Sequence, residues 1–215
     1  MNLIFLGPPG AGKGTQAQRL TAARGCSHIS TGDVLRAARI EGTELGKQAE
    51  IFMDRGELVP DDLMCAAVAE HLARSENQNG WILDGFPRTL KQASVALATF
   101  SGLGMHLNAC VLFELDEETL VSRISGRLNC QECGRIFHES FFPPKKAGKC
   151  DSCGGVLFQR QDDTKETARH RITIYRAQTE PLIAFFDEKD LVVRVDTTGT
   201  QDEVYARVES ALSDL

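Results

Sequence analysis

The chain lacks any run of about 18 consecutive apolar residues, the length a bilayer-spanning helix needs. Its N-terminal apolar stretch, Leu3-Ile4-Phe5-Leu6, leads directly into a glycine-rich turn, too short a run for the hydrophobic region of a secretory signal. Neither a membrane span nor a signal peptide is expected, and a cytoplasmic location follows. An excess of positive charge is also missing: 24 Lys and Arg stand against 30 Asp and Glu, a formal charge of −6. A surface of that sign repels nucleic acid and anionic membrane, so a bound polyanion must meet a local cluster of arginines. No internal repeat and no low-complexity tract interrupts the 215 residues, a length suited to one substantial core and a small appendage.

What is present begins at Gly7-Pro8-Pro9-Gly10-Ala11-Gly12-Lys13-Gly14-Thr15, directly after the first apolar run. Four glycines in nine residues let backbone N–H groups converge on one point. The spacing G-x-x-x-x-G-K between a strand and a helix is the P-loop signature, in which Lys13 reaches the outer phosphates of a nucleotide. Gly14 stands where the generic motif has the Ser or Thr that ligates Mg²⁺, and the hydroxyl comes one residue later at Thr15. That argues against direct ligation of Mg²⁺ by the loop.

Strand-length apolar runs recur at Leu3–Leu6, His28–Ser30, Trp81–Leu83, Ala109–Leu115 and Leu191–Val195, with helical patterns between them. The alternation predicts a parallel sheet covered on both faces. Met64, Val68 and Leu72 form a helical stripe behind Pro60-Asp61-Asp62, and Val204, Val208, Ala211, Leu212 and Leu215 form another at the C-terminus. A third stripe runs from Ala168 to Phe186, where Pro181 is expected to kink or split the helix.

Between residues 128 and 161 this periodicity is lost and Cys, Gly, Pro, Phe and Lys crowd together, which marks an inserted module. Cys130-x-x-Cys133 and Cys150-x-x-Cys153, separated by 16 residues, have the spacing of a four-thiolate metal site. Zinc is the default ion, although iron and cobalt also accept four thiolates. Paired disulfides are the rival, disfavoured in a reducing compartment. A nucleic-acid-binding ribbon is disfavoured by the acidic balance, so Lys145, Lys146 and Lys149 are read as a solvated face. Cys26, Cys65 and Cys110 are read as small core residues, and His138 as a surface histidine.

Phosphoryl transfer asks a protein for alignment and positive charge more than for covalent chemistry. Arginines beside turns occur in five places: Thr31–Arg36, Asp84-Gly85-Phe86-Pro87-Arg88-Thr89, Arg123–Arg127, Arg160–Asp163 and Arg169-His170-Arg171. With the glycine loop, these segments resemble the adenylate kinases, in the long-lid form with a four-cysteine lid. The most specific parts are Asp84–Arg88 and the Gly12-Lys13-Gly14-Thr15 ending of the loop, and the resemblance runs the length of the chain.

The resemblance implies an α/β fold, a three-layer P-loop parallel sheet with helices on both faces, and reversible Mg²⁺-dependent transfer from ATP to AMP giving two ADP. The core would be 1–29, 60–127 and 162–215, an AMP-binding arm 30–59, and a zinc-binding lid 128–161. Gly10, Ala11, Gly12, Lys13, Gly14, Thr15, Arg123, Arg127 and Phe137 would bind ATP. Thr31, Arg36, Glu57, Leu58, Val59, Gly85, Arg88, Gln92, Arg160 and Arg171 would bind AMP. Lys13, Arg36, Arg88, Arg127, Arg160 and Arg171 would act catalytically, Asp84 would position Mg²⁺ through water, and Asp162 and Asp163 would lock the lid. A single structural Zn²⁺ on the four cysteines, a cis Phe86–Pro87 bond and a monomer are also implied. Alternatives are a kinase for a pyrimidine monophosphate and, from another class, a nucleotide-dependent switch gripping nucleic acid.

Overall fold

The computed structural model describes residues 1–74, 77 and 79–213. In chain order the core begins with β1 (Asn2–Leu6), α1 (Lys13–Arg24), β2 (Ser27–Ser30), α2 (Thr31–Glu41), α3 (Glu44–Arg55) and α4 (Asp61–Leu72). It continues with β3 (Trp81–Asp84), α5 (Leu90–Gly102), β4 (Ala109–Glu114) and α6 (Glu117–Ser125). A three-stranded insert follows, β5 (Arg127–Cys130), β6 (Ile136–His138) and β7 (Leu157–Phe158). The chain returns through α7 (Lys165–Ile174), a π-helical turn (Tyr175–Thr179), α8 (Pro181–Asp187), β8 (Val192–Asp196) and α9 (Gln201–Ala211).

Each run expected as a strand is one, and the five form a single sheet in the order β2-β3-β1-β4-β8 with every pairing parallel. The central strands are apolar on both sides because side chains alternate across the pleat. Ile4 and Leu6 of β1, Trp81 and Leu83 of β3, and Cys110 and Leu112 of β4 face one core, completed by α4, α5 and α8. Leu3 and Phe5, Ile82, and Val111 and Phe113 face the other, completed by α1, α6, α7 and α9. The result is the three-layer architecture that the alternation implied.

The C-terminal stripe packs as expected through Val204, Val208 and Leu212; Leu215 lies outside the described residues. Pro181 does divide its helix, as the first residue of α8 after the π-helical turn. Cys26 and Cys110 are buried, and Cys65 is partly buried against the first core. The insert has a core of its own, where Phe137 and Leu157 pack with Cys130 and Cys150. Lys145, Lys146 and Lys149 are exposed upon it. No helix among the described residues is long and apolar enough to cross a membrane.

Helices α2 and α3 form an arm beside β2, joined by Arg39 to Glu50 (2.8 Å) and to Asp54 (2.7 Å). Their approach depends on Gly46, since a Cβ there would lie 2.1 Å from the Ala38 carbonyl oxygen. Gly46→Ala should therefore lower stability by about 1–3 kcal/mol, the usual range for overpacking. A urea-unfolding midpoint equal to that of the parent protein would contradict this close approach.

Candidate active site

The glycine loop leaves the C-terminal end of β1 and enters α1, the place where parallel α/β sheets bind ligands. Gly12, at φ 94°, takes the left-handed conformation that caps α1. Lys13 folds back over the loop, its Nζ donating to the carbonyls of Gly7 (2.7 Å) and Pro8 (2.9 Å). Burial lowers its pKa to about 8; Asp84 opposes the shift, while Arg88 and Arg127 add to it. A lysine in that state gains from an anion at the loop.

One cavity of about 1210 Å³ opens above this loop. Lys13, Arg36, Arg88, Arg123, Arg127, Arg160 and Arg171 all line it, although they come from seven separate elements and loops. Four aspartates answer them. Asp33 receives Arg36 and, at 3.4 Å, Arg160; Asp162 receives Arg171; Asp163 receives Arg127 in two bonds of 2.8 and 2.5 Å. Asp84, at the end of β3, lies 3.6 Å from His28. Burial raises the Asp84 pKa, but His28, Lys13 and Arg88 outweigh it and hold the carboxylate below its usual range. Burial, with Arg127 and Arg36 nearby, lowers Arg160 to about 10. Burial also lowers Arg88, whose Nε donates to the Gly85 carbonyl (2.7 Å).

Local rules explain how these groups arrive. Ser30 caps α2 by accepting from the Asp33 N–H, which fixes the turn carrying Asp33 and Arg36. Thr89 caps α5 in the same way, after the cis Phe86–Pro87 bond. Thr179, in the π-helical turn, donates to the Arg88 carbonyl (2.9 Å) and ties that loop to the C-terminal helices. Thr31 Oγ1 donates to the Gly85 carbonyl (3.0 Å), beside Glu57, Leu58, Val59 and Gln92 along the cavity wall under the arm. At the other end Arg123 donates to the Thr197 carbonyl (3.1 Å) and lies 6.0 Å from the Phe141 ring. Gly199, Thr200 and Gln201 complete that wall.

The sequence did not single out several of these neighbours. His28, Asp33, Phe141, Tyr175 and the Gly199–Gln201 turn all line the cavity. Only the last carried a local signal, the Thr200-x-x-Glu203 capping box of α9. Phe137 touches the cavity but is buried in the insert's core, its ring stacked on Phe142 at 5.5 Å. Arg169 and His170 are exposed and stay outside the cavity, unlike Arg171. His138 is not the surface histidine expected. It is buried, its Nδ1 accepting from the N–H of Ser140 (2.9 Å) and Phe141 (3.0 Å), its Nε2 facing the Ser122 carbonyl (3.1 Å). Gly126 leaves room for the ring, since a Cβ there would lie 2.5 Å from it.

The four insert cysteines meet as their spacing implied, all four Sγ atoms within 4.8 Å of one another. Cys130 pairs across the two knuckles with Cys153 (3.4 Å) and Cys133 with Cys150 (3.6 Å). A tetrahedral zinc thiolate holds its sulfurs about 3.8 Å apart, so the donor set and its size fit such an ion. None of the seven cysteines is in a disulfide. Burial raises the Cys150 thiol, yet the backbone N–H groups of Cys153 and Ser152 outweigh it and bring its pKa down to about 6. The insert's four buried side chains make a small core, so a chelator that strips a bound metal should lower the Tm by about 5 °C or more. An unchanged melting curve on a sample shown to have lost its metal would contradict a structural role.

Comparison with known proteins agrees with this geometry. The family model for adenylate kinase matches residues 5–191. An adenylate kinase of Archaeoglobus fulgidus is 47% identical over 212 residues, covering 99% of this chain and 98% of its own length. One from Thermodesulfovibrio yellowstonii is 48% identical over 205 residues, 95% of each chain, and one from Listeria innocua 45% identical over 213 residues, 99% of each. A glycine loop, a ring of arginines and a four-thiolate insert thus occur on a chain that matches these relatives almost end to end, and the chain belongs to the adenylate kinase family, the nucleoside monophosphate kinases that transfer a phosphoryl group reversibly from ATP to AMP.

Proposed function

We propose that the cavity holds ATP and AMP together, with Mg²⁺, and passes the γ-phosphoryl group directly between them. The observation that supports this is the meeting of Lys13 and the arginines in one space large enough for two nucleotides. The attacking group is the AMP phosphate, ionised near neutral pH, so no general base is needed.

In this reading the amides of Gly10 to Thr15 and Lys13 hold the β- and γ-phosphates of ATP. Arg36 and Arg88 hold the AMP phosphate, and Arg127, Arg160 and Arg171 surround the moving group. Asp33, Asp162 and Asp163 hold the same guanidiniums that phosphate oxygens would engage. Arg123 and Phe137, with the Gly199–Gln201 turn, border the ATP base, and Thr31, Gln92 and residues 57–59 border the AMP base. Asp84 is the residue that would hold Mg²⁺ through water, and the ion would supply neutralisation of the phosphate charge.

The arm (30–59) and the lid (128–161) fold over the core (1–29, 60–127 and 162–215) and exclude water that would hydrolyse ATP. Cys130, Cys133, Cys150 and Cys153 would hold a Zn²⁺ ion that keeps the lid rigid and would take no part in transfer. The unpaired thiols suit the cytoplasm.

A coupled assay should show ATP consumption only when AMP is supplied, and a preference for CMP or UMP would overturn the acceptor assignment. Arg88→Ala should lower kcat by about 10²–10³, the loss typical of removing one transition-state donor, with the fold intact. Near-normal turnover in that variant would remove Arg88 from the reaction.

A further inference from the structure

Gln92 is held at both ends of its carboxamide. Its Oε1 accepts from the Arg88 backbone N–H (2.8 Å), and its Nε2 donates to Asp61 Oδ1 (2.8 Å). Asp61 opens α4, and the same oxygen accepts from Thr89 Oγ1 (3.1 Å). That hydroxyl in turn accepts from the Gln92 backbone N–H (3.1 Å) as the cap of α5. The N-termini of two helices therefore meet through one carboxylate. Gln92 is only 2% exposed, and what it shows faces the cavity beside Thr31 and Val59. Asp61 does not line the cavity.

The two ends of a carboxamide have nearly the same shape, so partners alone decide its orientation. Here one partner can only donate and the other can only accept. Turning the amide over would set Nε2 against the Arg88 N–H and Oε1 against a carboxylate, losing both bonds. Each group still has one hydrogen-bonding position left, a lone pair on Oε1 and a proton on Nε2.

Those two positions match a purine edge in a direction-dependent way. Adenine accepts at N1 and donates from N6, whereas a 6-oxopurine donates from N1 and accepts at O6. A carboxamide can read either edge, but each requires the opposite orientation. Resting on the assignment of Gln92 to the AMP base, we propose that Asp61 is a specificity-determining positioning residue. It touches no substrate, and it fixes the Gln92 amide in the orientation that matches adenine and rejects a 6-oxopurine.

The test compares AMP with inosine monophosphate, which differs from it only at N1 and C6, as acceptors at saturating ATP. In Asp61→Ala the ratio of the two kcat/KM values should fall by roughly tenfold or more, the weight of a charge-assisted hydrogen bond. The AMP loss should appear in KM more than in kcat. Asp61→Asn keeps an oxygen at the Oδ1 position and should keep the parent ratio. Asp61→Ser, too short to reach Gln92, is measured alongside Asp61→Ala, and the result is read on whichever melts as the parent does. A ratio unchanged in that variant overturns the proposal, as does an equal loss for both acceptors, which is what a purely structural role would give. Gln92→Ala separates this from the reading beneath it: a raised KM for AMP there upholds the base-site assignment even if Asp61 fails. A KM left at the parent value overturns both.

Discussion

Positive charge gathered at one point is what the rest of this structure has to accommodate. Two like charges about 6 Å apart repel by about 3 kcal/mol at an effective dielectric of about 20, and nine cationic side chains border a single cavity. Unanswered, they would destabilise the fold; burial is the main cause of the lowered pKa values of Lys13, Arg88 and Arg160, and neighbouring arginines add to it. The aspartates relieve the repulsion. Asp33 answers Arg36 from its own turn, whereas Asp162 answers Arg171, Asp163 answers Arg127 and Asp33 also answers Arg160 from distant stretches of the chain. Such pairs are replaceable by phosphate, which offers more acceptor oxygens and more charge.

The architecture follows from delivering those charges. A parallel sheet places the C-terminal ends of its strands on one side, so β1 supplies the glycine loop and Lys13, and β3 supplies Asp84 and Arg88. The C-terminus of α6 leads into Arg127, and the arm brings Arg36 from the opposite side. Small residues appear where these parts crowd: Gly46 between α2 and α3, and Gly126 beneath the His138 ring. The π-helical turn has a related effect, since Thr179 from that turn holds the carbonyl of Arg88.

What could be read from the sequence was what is coded over a few neighbouring residues. The strand runs, the G-x-x-x-x-G-K loop, the paired cysteines and the break at Pro181 each state their structure locally, and each appears where expected. Pairings over distance were not legible. Nothing adjacent to Asp33 announces Arg160, 127 residues away, and nothing beside Arg169 shows that it faces outward while Arg171 faces in. The position of His138 is likewise not written in its neighbours. Its burial depends on the space left by Gly126 and on the Ser122 carbonyl, from other elements. The Gln92 carboxamide is the same kind of case, since its orientation is set by Asp61 from the start of a different helix.

The central claim is that two nucleotides occupy the cavity at once and exchange the phosphoryl group without an enzyme-bound intermediate. Initial rates measured with ATP varied at several fixed AMP concentrations test it most directly. Reciprocal plots that intersect, as a complex of both substrates requires, are the predicted result. Parallel lines, which mean that one product leaves before the second substrate binds, would contradict it.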